Sequence, residues 1–237
     1  MREEGTSTLL IAVEGVDASG KETQTTLLYE RLKEEGFSVK RITFPDYSSR
    51  AAGALKMYLD GEFGKSPYDV NPYVASTFFT IDRFASYKTD WGEALANGQI
   101  IIADRYTMSN MIHQGAKIDE SEELEQFLDW LYNLEFCKFK LPKPDLVLFL
   151  DMPMDMRVSL LESRSKIECY SSNRKGKDIH ENDINYLERV HTCAQKIAKK
   201  MNWFKINTES DGKLRTIPEI QEDIYSIVRK EIMRYNK

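Results

Sequence analysis

Short apolar runs recur along the chain and alternate with longer segments of helical pattern. The runs "LLIAVE", "VKRITF", "QIIIAD", "LVLFLD" and "WFKIN" predict strands at 9–14, 39–44, 99–104, 146–151 and 203–207. These runs are apolar rather than alternating, which is typical of parallel strands that helices cover on both faces. The pattern predicts a parallel five-stranded sheet.

The segments between the runs have the 3.6-residue periodicity of helices, and a glycine at 36 stands where a helix is expected to end. Because strands and helices alternate throughout, we expect one doubly wound α/β domain over residues 1–237. Ligands of such folds bind beyond the carboxyl ends of the strands. Helices are predicted at about 21–35, 51–60, 72–97, 121–139, 183–200 and 217–235, with a further one beginning after Pro153.

Composition and charge exclude several classes of protein. The chain has 237 residues, 41% of them hydrophobic and 30% charged, with a net charge of -5. A negative net charge argues against a broad nucleic-acid surface, and no apolar run is long enough to span a bilayer. The N-terminus lacks the apolar region of a signal peptide, and three cysteines without a C-x-x-C pair indicate reduced thiols. We therefore expect a cytoplasmic protein that binds neither nucleic acid nor membrane.

The stretch "LIAVEGVDASGKETQ" at 10–24 has the pattern of a phosphate-binding loop. A buried strand precedes its G-x-x-x-x-G-K string and an amphipathic helix begins inside it, so backbone N–H groups and the helix N-terminus face an anion. Lys21 can then reach the β- and γ-phosphates of ATP. The predicted ATP-binding residues are Gly15, Val16, Asp17, Ala18, Ser19, Gly20, Lys21, Glu22 and Thr23.

Glu22 departs from the loop pattern, which has a serine or threonine there to bind magnesium. A carboxylate next to a triphosphate repels it, but Mg²⁺ accepts carboxylate oxygen and a helix N-terminus favours negative charge. Our hypothesis is that Glu22 is a direct or water-mediated Mg²⁺ ligand. Two alternatives stay open: Glu22 turns into solvent while Thr23 or water replaces it, or the loop is inactive.

Three further stretches fit a second ligand. "FPDYSSR" at 44–50 follows the second strand, and "DRYTMSN" at 104–110 follows the third. In "FFTIDRF", Phe79 and Arg83 are spaced i and i+4 and lie on one helix face, which suits stacking on a nucleobase and bonding to its carbonyl. Asp104 ends an apolar strand, so we expect it near magnesium or a catalytic arginine. The chain lacks the N-K-x-D string with which GTPases read guanine.

The order and spacing of "EGVDASGK", "FPDY", "FTIDR", "DRYTMSN", "LPKPD" and "DIHEND" resemble the thymidylate kinase family over about residues 9–207. The resemblance implies the P-loop kinase fold with a mobile lid. It also implies phosphorylation of dTMP to dTDP in dTTP biosynthesis, with ATP as the donor and Mg²⁺ as cofactor. A homodimer is implied by the family alone.

The resemblance also implies roles for the acceptor-site residues. Asp17 faces the deoxyribose 3′-hydroxyl, Phe79 stacks on thymine, and Arg83 hydrogen-bonds a base carbonyl. The remaining residues implied to bind dTMP are Phe44 and Tyr47 in the wall of the pocket, and Ser109 and Asn110 at the base edge.

At the phosphates, the resemblance gives catalytic roles to Lys21, Asp104 and Arg105, of which Arg105 binds the dTMP phosphate. One group of the family has its catalytic arginine at the position of Ala18, and the other has arginines in the lid. This chain resembles the second group, with Arg164 and Arg174 flanking or within a lid at about 164–181. We favour Arg164 as the catalytic arginine because it follows a helix. Whether His113 helps to reject ribonucleotides stays open.

Two other functions remain possible from the sequence. Another deoxynucleotide or deoxynucleoside kinase shares the P-loop and the Asp-Arg strand end. A nucleotide-binding regulator without turnover is the alternative from a different class, although the missing guanine motif and the basic lid argue against it. A degenerate, inactive kinase belongs to the same class, and Glu22 is the best argument for it.

Overall fold

The protein is built around a parallel sheet of five strands in the order β2-β3-β1-β4-β5. The structure, a computed structural model, describes residues 8–154, 156, 179–180 and 183–235, with the side chain of residue 184 excepted. The sheet confirms the predicted fold class. The strands are β1 Leu10–Gly15, β2 Val39–Thr43, β3 Ile100–Asp104, β4 Leu146–Asp151 and β5 Phe204–Asn207.

Helices connect these strands and cover both faces of the sheet. Within the described residues they are α1 Lys21–Glu34, α2 Gly53–Leu59, α3 Pro72–Ser86, α4 Gly92–Ala96, α5 Thr107–Gly115, α6 Ser121–Tyr132, α7 Ile184–Lys200 and α8 Ile217–Tyr235. Turns of π-helix, Tyr87–Trp91 and Asn133–Lys138, continue α3 and α6. Short 3₁₀ turns occupy Arg50–Ala52 and Pro67–Asp69, and a hairpin joins β6 Glu209–Ser210 to β7 Lys213–Leu214.

Strand β1 is buried on both sides because each face of the sheet has its own core. Leu10 and Ala12 belong to the core under α5, α6 and α7. Ile11 and Val13 point the other way, into the core that α1 and α8 cover. Alternate residues of one strand face opposite sides, so a strand between two helical layers has to be apolar throughout.

Most predicted elements are present, with two differences. Helix α1 ends at Glu34 and is followed by Gly36 with a φ of 86°, as the glycine predicted. Helix α5 and the β6–β7 hairpin were not predicted. The helix expected after Pro153 and most of the expected lid at 164–181 lie outside the described residues. In the part of the chain that is described, no helix is long and apolar enough to cross a membrane.

Candidate active site

The loop between β1 and α1 wraps tightly around the start of the helix. A side chain at Gly15 would place its Cβ 2.6 Å from Ser19 Oγ and 2.8 Å from the carbonyl oxygen of Leu150, so only glycine fits. Gly20, the residue before α1, has a φ of 86°, which glycine adopts without strain. The sequence therefore folds here into the compact loop that a phosphate-binding site requires.

Lys21 lies folded back over this loop and is only 6% exposed. Its Nζ donates to the carbonyl oxygen of Val16 at 2.6 Å and lies 3.4 Å from Ser19 Oγ. The pKa of Lys21 is lowered to about 7, mainly by burial and then by the charge of Arg105, while Asp17, Asp104 and Glu14 act to raise it. A bound anion next to Lys21 would favour its protonated form and so oppose the effect of burial.

Asp104, at the end of β3, faces the loop and is 7% exposed. Burial raises its pKa, Lys21 and Arg105 lower it, and the charge of Glu22 raises it again. Asp104 ends β3 and Glu22 lies in the first turn of α1, so both carboxylates belong to the end of the sheet where the loop lies. Glu22 itself is exposed in the first turn of α1.

Glu14 is a site residue that the sequence did not reveal. It is fully buried at the end of β1. Its Oε1 accepts hydrogen bonds from the backbone N–H of Tyr106 at 2.7 Å and of Ser109 at 3.2 Å, and its Oε2 accepts from Ser109 Oγ at 2.6 Å. Burial raises the pKa of Glu14 to about 7, although Ser109 and Arg105 act to lower it. A single carboxylate inside an apolar strand was the signal that could have identified it.

Arg105 joins the phosphate loop to α5. Its Nη2 donates to a carboxylate oxygen of Asp17, while Nη1 lies 3.5 Å from Ser109 Oγ and 3.4 Å from His113 Nε2. Burial alone would lower the pKa of Arg105, but Asp17, Asp104 and Glu14 raise it above the ordinary value, so the guanidinium is charged. Its φ of 67° is unusual for a residue with a side chain, and such conformations cluster at functional sites.

Two histidines extend this row of polar side chains away from Arg105. The ring of His113 stacks on that of His180, with 5.8 Å between the ring centroids. His180 is bonded to the hydroxyl of Tyr58 at 2.8 Å. Burial lowers the pKa of His180 well below its usual value, and nearby His113 and Lys117 lower it further, so this histidine is neutral.

The aromatic residues of the expected acceptor pocket divide between two environments. Phe79 is half-buried and meets the ring of Tyr58 edge to face, at 6.3 Å and 84°. Tyr47 packs against the same small cluster. Phe44 is 4% exposed and packs on Tyr106 in the main core, with 6.1 Å between the rings. Phe79 is thus the more accessible of the two predicted phenylalanines.

Arg83 and Asn110 meet around a buried carboxylate, Glu135. Arg83 donates from Nε to Glu135 Oε2 at 2.8 Å and from Nη2 to Oε1. Asn110 donates from Nδ2 to the carbonyl oxygen of Ser76 at 3.2 Å and to Glu135 Oε1 at 3.3 Å. The Oδ1 atom of Asn110 is buried and has no hydrogen-bond partner in the described part of the chain. Ser109, which is predicted beside Asn110 at the base edge, donates its hydroxyl to Glu14.

The other predicted site residues are placed as follows. Thr23 is half-buried on α1, and Arg164 lies outside the described residues. Among the described residues, no group of three or more His, Cys, Asp or Glu side chains could hold a metal ion. A cavity of about 130 Å³ lies at the opposite edge of the sheet, between Leu9, Ile100 and Tyr235. Since it lies at the amino ends of the strands, it is not part of this site.

Comparison with known proteins decides between the families that share this loop. The model of the thymidylate kinase family matches residues 13–220. The chain belongs to the thymidylate kinase family. The human thymidylate kinase is 30% identical over 220 residues, which cover 91% of this chain and 87% of the human protein. The thymidylate kinase of Mycobacterium tuberculosis strain CDC 1551 is 29% identical over 208 residues, covering 86% of this chain and 93% of that one.

A solved structure supports the fold of this thymidylate kinase family member. Thymidylate kinase from Candida albicans superimposes with a TM-score of 0.69 and covers 98% of this chain and 95% of its own. Because the two sequences are only 22% identical, this similarity is evidence for the fold alone.

Proposed function

We propose that the protein phosphorylates dTMP to dTDP with ATP as the donor. The observation that carries the proposal is the pair of Asn110 and Arg83. The Oδ1 atom of Asn110 is a buried acceptor with no hydrogen-bond partner among the described residues, and Arg83 offers N–H donors. Thymine has an N–H donor at N3 between two carbonyl acceptors, and so complements both residues. Cytosine lacks the N3–H and would leave the buried oxygen of Asn110 unpaired, which is costly.

The phosphate ends of the two nucleotides meet at Lys21 and Arg105. Lys21 binds the donor phosphates, and Arg105 binds the phosphate of dTMP as a two-pronged donor. Asp17 accepts a hydrogen bond from the 3′-hydroxyl of dTMP and also keeps Arg105 charged and oriented. Phosphoryl transfer needs positioning and charge stabilisation more than covalent chemistry from the protein. These residues supply both, with Asp104 next to the transferring group.

The residues at the loop fit a magnesium ion. Mg²⁺ is commonly held by one or two carboxylates together with waters and substrate phosphates, so a cage of three protein ligands is not required. Glu22 and Asp104 are two carboxylates close enough for the charge of one to raise the pKa of the other. We infer that Glu22 holds the ion directly or through water, with Asp104 nearby. When bound, the ion would neutralise charge on the triphosphate.

We also propose a single domain over 1–237, a lid at 164–181 that brings in Arg164, and a homodimer.

A coupled assay of ADP release tests the function. We expect turnover with dTMP, a loss of about 1 kcal/mol in transition-state stabilisation with dUMP, which lacks one methyl group, and a loss of ~10⁴-fold with dCMP. Faster turnover of thymidine than of dTMP would favour a deoxynucleoside kinase. Nucleotide binding without turnover of any acceptor would favour a regulator. Equal turnover of dCMP and dTMP would overturn the assignment of the acceptor.

A further inference from the structure

Glu135 is a buried carboxylate that has no role in the proposed binding of ATP, dTMP or magnesium. We propose that it is a positioning residue, which sets the orientation of Arg83 and Asn110 so that together they read thymine. The proposal rests on the proposed function, because it concerns how the same acceptor pocket recognises its base.

Side chains from α3 and α5 converge on Glu135. It is fully buried on the π-helical turn after α6, and such turns are frequent at functional sites. Beyond its bonds to Arg83 and Asn110, its Oε2 accepts from Thr107 Oγ1 at 2.6 Å, and its Oε1 lies 3.1 Å from Thr80 Oγ1. One carboxylate thus connects the helix that carries Arg83 with the helix that carries Asn110.

The two bonds to Arg83 fix which edge of its guanidinium is left for a ligand. Nε and Nη2 are both directed at Glu135. The Nη1 group makes no hydrogen bond to a described residue, and it is the part of the fork that remains for a base carbonyl. The carboxylate also neutralises the charge of Arg83, which is 1% exposed. A neutral pair with an N–H donor suits the uncharged carbonyl of a base better than it suits a phosphate.

The hydrogen bond from Asn110 to Glu135 fixes which end of the Asn110 amide, the oxygen or the nitrogen, is left to face a ligand. Both neighbours of Nδ2, the Ser76 carbonyl and Glu135, are acceptors only. If the amide turned over, Oδ1 would face two acceptors, so the present orientation is strongly preferred. Asn110 must therefore present an acceptor to the ligand, which matches the N3–H of thymine and opposes the N3 lone pair of cytosine. Glu135 acts on base selection through this constraint.

The test compares Glu135→Gln with a control, Asp145→Asn. The Asp145 carboxylate accepts from the backbone N–H of Leu10 at 2.8 Å and from the Tyr235 hydroxyl at 2.9 Å, at the opposite edge of the sheet. In Glu135→Gln we expect the KM for dTMP to rise at least tenfold and the KM for ATP to stay within twofold. The preference for dTMP over dCMP should fall at least tenfold, because a glutamine N–H in place of Glu135 Oε1 removes one of the two acceptors that hold the Asn110 amide in its present orientation. Asp145→Asn should lower Tm only.

A double variant tests whether Glu135 acts through Arg83. On an Arg83→Gln background, Glu135→Gln should raise the KM for dTMP by a smaller factor than in the wild type, because only the contact of Glu135 with Asn110 remains to be lost. Should Glu135→Gln not fold, Thr107→Val removes one donor to the same carboxylate, and a severalfold rise in the KM for dTMP with an unchanged KM for ATP is expected. Binding of dTMP measured by calorimetry without ATP should follow the same order.

The possible results separate this proposal from the proposed function. Wild type without dTMP kinase activity overturns both. If the wild type is active but Glu135→Gln leaves both the KM for dTMP and the preference for dTMP over dCMP unchanged, only the proposed role of Glu135 is overturned. In the Thr107→Val variant, an unchanged KM for dTMP counts against the proposal in the same way.

Discussion

Lys21 should take up a proton when ATP binds. The side chain is 6% exposed, and its ammonium has the Val16 carbonyl and the Ser19 hydroxyl as neighbours rather than a paired carboxylate. Burial accordingly lowers its pKa to about 7. The phosphates of ATP bring negative charge to this group and favour its protonated form, so the pKa returns toward its ordinary value.

The size of the effect follows from that shift. At pH 8, with a pKa of about 7, roughly 0.9 of the Lys21 side chains are neutral in the free protein. Since the bound state holds more protons, ATP binding at pH 8 should take up about 0.9 proton. Linkage fixes the sign of the pH dependence. Below pH 7, Lys21 is protonated in the free and the bound protein, so it does not change the affinity for ATP with pH. Above pH 7, the affinity for ATP falls by up to about tenfold per pH unit, until the pH reaches the pKa of Lys21 in the complex.

Titration calorimetry at pH 8 in two buffers with different ionisation enthalpies measures the uptake directly. Lys21→Arg is the matched control, because a guanidinium is charged throughout and has no proton to gain. Uptake in this variant should be close to zero. An uptake below about 0.2 proton in the wild type, or the same uptake in both proteins, would refute the reasoning, because both figures follow from the shifted pKa.

Three other substitutions have expected outcomes. Glu14→Ala leaves the N–H groups of Tyr106 and Ser109 unpaired and should lower the free energy of unfolding by about 2–5 kcal/mol in urea titrations, against about 1 for Glu14→Gln; equal stability of wild type and Glu14→Ala would contradict this. Arg105→Lys keeps the charge but loses the fork, so kcat/KM for dTMP should fall about tenfold or more while the Kd for ATP changes little; a large loss of ATP binding with dTMP binding intact would place Arg105 on the donor side. Glu22→Gln should raise the magnesium concentration for half-maximal rate severalfold and Glu22→Ser should restore much of it, whereas an unchanged dependence in Glu22→Gln would make Glu22 a bystander.

Much of the fold could be predicted because the strands are apolar runs in a mainly helical background. Helix α5 escaped prediction because the residues it buries include Asn110, His113 and Gln114, so it has no simple apolar stripe. The β6–β7 hairpin had a signal that was not used, the Asp211-Gly212 pair. Both residues have positive φ, as a two-residue hairpin turn requires.

For the candidate site, local motifs predicted the loop, but not the carboxylates that support it. Glu135 stands in "NLEFCK", which has the pattern of an ordinary helix, and its partner Arg83 is 52 residues away in the chain. Periodicity within a helix predicts which residues share a face, not which distant side chain they will meet. Glu14 differs, because a carboxylate in an apolar strand must be compensated wherever it is buried.

The two missed carboxylates both bind the segment from Tyr106 to Asn110. Glu14 binds the backbone of Tyr106 and Ser109, next to Arg105, and Glu135 binds the side chain of Asn110. Arg105 lies just before α5, and Asn110 lies in the first turn of that helix, five positions further along the chain. That span separates the predicted contact with the acceptor phosphate from the predicted contact with its base. Helix α5 packs Met108, Met111 and Ile112 into the main core, but it also buries polar side chains, which need hydrogen-bond partners. The buried acceptors Glu14 and Glu135 are such partners for this segment, and they thereby help to set the distance between the contact with the phosphate and the contact with the base.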